Sequence, residues 1–234
     1  MDELVTQLQR KTKALADPKR AATNRWFFKT GKGQYGEGDQ FLGLTSRQMH
    51  DIAKEFRLLP LPDLQRLLKN PYHEQRQIAL YILVDQFGRS SSIQQKHQYR
   101  FYLANTRWIN NWDLVDCSAH KIVGRYLREK PHDVLTGMAA SKNVWERRIS
   151  IIATLDFIAH RSFNTTLSIA TILLQDPHDL IQKGVGWMLR EVGKRDEATL
   201  KQFLNRHAPA MPRTMLRYAI ERLPEAKRRA YMRQ

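Results

Sequence analysis

Residues 143–155 read N-V-W-E-R-R-I-S-I-I-A-T-L. The stretch opens on an asparagine able to accept an unpaired amide at a helix N-terminus. A polar and basic patch follows, and then an apolar run. The same order recurs twice, in N-P-Y-H-E-Q-R-Q-I-A-L-Y-I-L from Asn70 and in D-P-H-D-L-I-Q-K-G-V-G-W-M-L from Asp176. Asn110 heads a weaker fourth copy. From Asn110 onward the copies recur at about 33 residues, within the period of paired-helix repeats. No run of strict apolar/polar alternation argues for strands. Proline-containing stops recur instead, at Asp17-Pro18, Asn70-Pro71, Lys130-Pro131, Asp176-Pro177, Pro209 and Pro212. The pattern predicts an all-α fold: a superhelical α-solenoid of HEAT-like antiparallel helix pairs, forming one domain over 1–234. One helix of each pair would line a concave basic face.

The charge bears on what such a face would meet. Among 234 residues, 39 Lys and Arg stand against 23 Asp and Glu, a formal +16. That excess is the electrostatic footprint of a nucleic-acid binder, attracting phosphate without reading sequence. The stretch from Arg206 to Gln234 alone holds eight Lys and Arg and two Glu. Helix N-termini pointed at the same face would add free N–H groups for phosphate. A solvated basic surface or a membrane-surface protein is the competing use of that charge. No apolar run approaches the roughly 20 residues that span a bilayer. The opening M-D-E-L-V-T-Q-L-Q-R lacks the basic and then apolar blocks of a secretory signal, so the expectation is cytoplasmic. The single cysteine, Cys117, excludes an internal disulfide and a thiolate metal cluster. Nothing points to a metal, a cofactor or an oligomer, and a monomer is expected. G-K-G-Q-Y-G at 31–36 matches a dinucleotide fingerprint only in letters. It follows a helix-like segment rather than a strand, and reads as a mobile connector.

Four places carry chemistry. In N-N-W-D-L-V-D, from Asn110 to Asp116, Trp112 and Asp116 lie four apart and share a helical face. Asp113 falls close to that face, or serves as a first-turn acid favoured by the helix dipole. The competing reading packs Trp112 in the core and pairs Asp116 with a nearby arginine. Trp145, Arg147 and Arg148 open another helix, where the arginines hold a phosphate, orient a carboxylate or form ion pairs. Trp187 follows Gly184 and Gly186, glycines that cost about 1 kcal/mol each inside a helix and so mark a close approach by a neighbouring helix or a ligand. Lys183 and Arg190 on the same helix suit phosphate or simply a solvated face.

These motifs, N-W-D-L-V-D, V-W-E-R-R, I-Q-K-G-V-G-W-M-L-R-E and G-Q-Y-G-E-G-D-Q-F-L-G, together resemble the AlkD-type DNA alkylation-repair glycosylases, in order, from about Trp26 to Arg190. The resemblance implies an all-α superhelix of HEAT-like repeats. It also implies hydrolysis of the N-glycosidic bond of positively charged N3- and N7-alkylated purines, such as 3-methyladenine and 7-methylguanine, in duplex DNA. It places the catalytic aspartate at Asp116, active-site tryptophans at Trp112 and Trp187, and an arginine at Arg148. Phe27 stands where the family has a tyrosine, keeping a ring and losing a hydroxyl. Phe27, Asp113, Trp145, Arg147, Lys183 and Arg190 are the expected DNA contacts, and duplex DNA with alkylated bases is the expected partner.

Carboxylates in a basic chain make sense for that reaction. The damaged purine leaves neutral, positive charge moves onto the deoxyribose, and the transition state is oxocarbenium-like. A fixed carboxylate stabilises that cation and orients water, and indole faces attract it by about 0.5–2 kcal/mol. No lysine within the N-W-D-L-V-D unit is placed to attack C1′, so lyase chemistry is not expected. A non-catalytic repeat protein binding bent or branched duplexes is the alternative, and a protein scaffold a third.

Overall fold

The computed structural model describes residues 2–233 and, among them, consists of helices joined by connectors, most of them short and the longest spanning 28–45. The one β-type pairing among these residues is an isolated parallel bridge between Gln40 and Tyr72. The chain separates into two compact units, 1–118 and 119–234. No described helix is long and apolar enough to cross a membrane.

The first unit holds α1 (Asp2–Ala14), α2 (Pro18–Phe27), α3 (Ser46–Glu55), α4 (Leu61–Leu68), α5 (His73–Arg89), α6 (Ser92–Ala104) and most of α7 (Trp112–Ala119). Helix α5 is its centre, packed by α3, α4 and α6. Surrounded on several sides, it buries an unbroken run from His73 to Leu80, polar residues included. That explains why its sequence shows little amphipathic period.

The second unit begins with a wide turn, His120–Gly124, that runs into α8 (Arg125–Leu127). It continues through α9 (Asp133–Ala139), α10 (Val144–Ala153), α11 (Leu155–Ala159), α12 (Asn164–Ile172), α13 (Asp179–Arg195), α14 (Glu197–His207), α15 (Arg213–Ile220) and α16 (Glu225–Arg233). Here α13 is central, touching α10, α14 and α15. A Cβ built on Gly186 would lie 2.5 Å from the Met215 carbonyl oxygen. The glycine therefore admits α15, as the sequence cost of Gly184 and Gly186 predicts.

The three look-alike segments share a local device. The side-chain oxygens of Asn70, Asn143 and Asp176 each accept the amide two residues on, from Tyr72, Trp145 and His178, at 2.9 Å. Only Asn143 is itself the helix cap. After Asn70 and Asp176 the intervening proline delays the helix, and the caps are Tyr72 and His178. Elsewhere Asp17 caps α2 with Pro18 in the first turn, so this pair starts a helix rather than stopping one. The glycine-rich connector is not the loose segment its composition predicts. Gly31 and Gly33 donate to the Gln34 and Glu37 side chains, and the Gly36 amide donates to the Lys29 carbonyl. A Cβ at Gly36 would meet the Phe28 carbonyl oxygen at 2.3 Å, so glycine is needed there for close approach.

Candidate functional site

In the first unit, α7 starts at Trp112, whose amide is accepted by the Asn111 side chain at 2.8 Å. One turn later on the same helix stands Asp116, half-buried. Trp112 is also half-buried, and its ring is held from the side of α2. Phe28 stacks on it at 5.4 Å between centroids, and Phe27 meets it edge-on at 5.9 Å. Phe27 keeps about half its surface exposed. Thus two sequence-predicted residues from distant segments, Phe27 and Trp112, come together. Beneath this helix the buried Tyr102 hydroxyl contacts Ser118 at 2.9 Å. Burial raises its pKa; the Ser118 hydrogen bond opposes the shift, while the Cys117 and Asp116 charges add to it.

Asp113 turns away from the role of a simple dipole acid. One of its oxygens lies 2.8 Å from His73 Nε2, and the other accepts the Leu114 amide. His73 is almost fully buried at the start of α5. Its Nδ1 lies 3.2 Å from Asp39, which also accepts from the Arg76 guanidinium at 2.6 Å and from Asn111 at 3.3 Å. Burial acts to lower the His73 pKa, but the charge and hydrogen bonds of Asp113, with Asp39 behind, carry it up to about 9. Asp39 stays below the usual carboxylate range although burial opposes this, because His73 and Arg76 favour its charged form.

Between these groups lies an open cavity of about 340 Å³, lined by Phe28, Phe41, His73, Glu74, Trp112 and Asp113 among others. The His73 network is absent from the sequence reading. The partners sit 34 and 40 positions away along the chain. One signal was legible: position three after the leading residue is His73 in the first copy but Asp113, Glu146 and Asp179 in the others.

In the second unit, Lys183, Trp187 and Arg190 are spaced to form one stripe along α13, and all three are half-buried. Lys183 pairs with Asp179 at 2.6 Å, and Arg190 with Glu221. Arg148, on α10, is 5% exposed. Its guanidinium donates to the Leu180 carbonyl at the start of α13 and lies against Gly184, where a Cβ would be 3.3 Å away. Arg147 pairs with Asp176 at 2.6 Å and also donates to the Ser141 and Lys142 carbonyls. Trp145 is buried. Trp145 thus packs in the core, and Arg147 forms the ion pair that is one of the uses its position allows.

No group of three or more His, Cys, Asp or Glu among the described residues is arranged to hold a metal ion. A family model for DNA alkylation repair enzymes matches residues 8–223. Among solved structures, a predicted DNA alkylation repair enzyme from Enterococcus faecalis is similar, with a TM-score of 0.70. The match covers 90% of this chain and 97% of the other, at 16% identity, and is a likeness of fold. No curated protein matches.

Proposed function

The chain belongs to the DNA alkylation repair enzyme family, and we propose that within it the protein is a monofunctional DNA glycosylase releasing N3- and N7-alkylated purines from duplex DNA. The observation that carries this reading is the state of Asp116. It is neither sealed in the core nor remote from aromatic rings, but half-buried one turn from a Trp112 whose ring is held by Phe28.

The reaction needs little else at the base. As the C1′–N bond breaks, its electron pair neutralises the cationic purine, which leaves without a proton. The deoxyribose becomes oxocarbenium-like, and Asp116 stabilises it as a preorganised negative charge. Water then bonds to C1′, and its proton passes through the carboxylate to solvent. Trp112 offers an aromatic face to the same cation. In the second unit, Trp187 with Lys183 and Arg190 forms a stripe suited to holding duplex, and Arg148 acts by ordering the start of α13.

Replacing Asp116 by Asn keeps the shape and removes the charge. We expect release of 7-methylguanine from methylated duplex to fall by about 10²-fold or more, with duplex affinity kept or tightened. Unchanged excision would remove Asp116 from its role. Duplex binding without base release by the wild type would favour a non-catalytic DNA binder.

A further inference from the structure

We propose that His73 is a positioning residue: by bridging Asp39 and Asp113 it fixes the first turn of α7 and, through it, Trp112 and Asp116. The inference rests on the glycosylase reading for its kinetic consequence, but its geometric content stands alone.

His73 is the first residue of α5. A helix N-terminus carries partial positive charge, which favours an acid there and disfavours a cation. The equivalent positions of the other copies obey this rule with Asp113, Glu146 and Asp179. The histidine departs from it, and two carboxylates from other segments compensate. Asp39 comes from the glycine-rich connector and Asp113 from α7, at 3.2 and 2.8 Å from the two ring nitrogens. Phe28 and Phe41 lie near the ring, with centroids 4.9 and 4.8 Å away. The other charged groups nearby are Arg76 of α5, which hydrogen-bonds Asp39, and Glu74 and Arg20 on the cavity wall.

Only an imidazolium donates from both nitrogens; the neutral ring has one N–H and leaves one carboxylate facing a lone pair. The bridge therefore tethers α7 while the ring is charged. The folded pKa, about 9, lies above the ordinary 6.5. The bridge's contribution is thus fully present below about pH 6.5 and is lost as pH rises through about 9. Phe28 couples the two effects in space, since it neighbours His73 and stacks on Trp112.

Two variants separate the halves of the bridge. His73→Gln places an amide near Nε2 and can still donate to Asp113. His73→Asn places one near Nδ1 and reaches only Asp39. Amide hydrogen exchange at Val115 and Asp116 reads the order of α7 without reference to activity. We expect exchange at least about tenfold faster in His73→Asn and near wild type in His73→Gln. On methylated duplex, kcat should fall about tenfold in His73→Asn with KM within about threefold, and His73→Gln should restore most of it. The wild-type kcat should decline through pH 9, relative to the enzyme-free DNA control, and His73→Gln should lack that limb. If His73→Asn does not fold, Asp113→Asn serves, with the same exchange expected at α7. Unchanged α7 exchange in His73→Asn, or in Asp113→Asn where that variant stands in, overturns the positioning role whatever the activity. Faster exchange together with a wild type that releases no base leaves the positioning role standing and removes the glycosylase reading. Equal loss in His73→Asn and His73→Gln would also overturn the proposal, since a merely structural ring predicts that result.

Discussion

At Arg148 a guanidinium of the kind that suits phosphate is instead 5% exposed and donates to the Leu180 carbonyl. Lys183, nearby in sequence to that carbonyl, is half-exposed and pairs with Asp179 along its own helix. The two cations should therefore behave differently. Arg148→Ala leaves a carbonyl short of a donor and should cost about 1–3 kcal/mol in urea unfolding, with the salt slope of duplex binding unchanged. Lys183→Ala should cost little stability, since an exposed pair four apart contributes about 0.3–0.5 kcal/mol, but should reduce the salt slope by about 1. A slope reduced by Arg148→Ala and not by Lys183→Ala would reverse these assignments. The same contrast shows what sequence can carry. Trp112 and Asp116 were legible together because four residues of helix place them on one face. His73 with Asp39 and Asp113 was not, because nothing periodic links partners 34 and 40 residues apart.

Helices α5 and α13 each grow from a copy of the repeated segment, and their Asx-type turns follow directly from an Asn or Asp set two residues before an amide donor. What the segments could not reveal is which neighbour each helix meets. Glycine gives the partial exception: its helical cost implied close approach at Gly184 and Gly186, and the neighbours prove to be Arg148 and α15. Two substitutions test that logic. At Gly186 an added Cβ would lie 2.5 Å from both the Met215 oxygen and Tyr218 Cβ, so Gly186→Ala must push α15 away and should destabilise by about 1–3 kcal/mol. At Gly137, within α9, an added Cβ meets nothing within 4 Å, so Gly137→Ala should stabilise by about 0.4–1 kcal/mol. Urea midpoints for the two variants should move in opposite directions. Stabilisation at both sites would mean that backbone entropy, not helix contact, governs Gly186 as well.

For the whole chain, helical class was readable from period and punctuation, but the division into 1–118 and 119–234 was not. The boundary falls inside α7, at Ser118–Ala119, where no Pro, Gly or charge run marks a linker. Net charge is the property that belongs to the molecule rather than to any element. With 39 cationic and 23 anionic side chains, many of the acids are already paired with cations, as in Lys11–Glu55, Arg147–Asp176 and Lys227–Glu197. The excess charge remains to attract phosphate. Each phosphate contact releases condensed counterions, so the slope of log K against log salt is about −0.9 per contact on duplex. Four contacts then weaken binding by about 10²-fold between roughly 50 and 200 mM salt. We expect at least that loss for unmodified duplex, measured by fluorescence anisotropy, and nearly equal affinity for unrelated sequences. Binding that barely responds to salt would mean the excess charge does not meet the backbone. The chain would then lack the grip on DNA that the proposed base release at Asp116 requires.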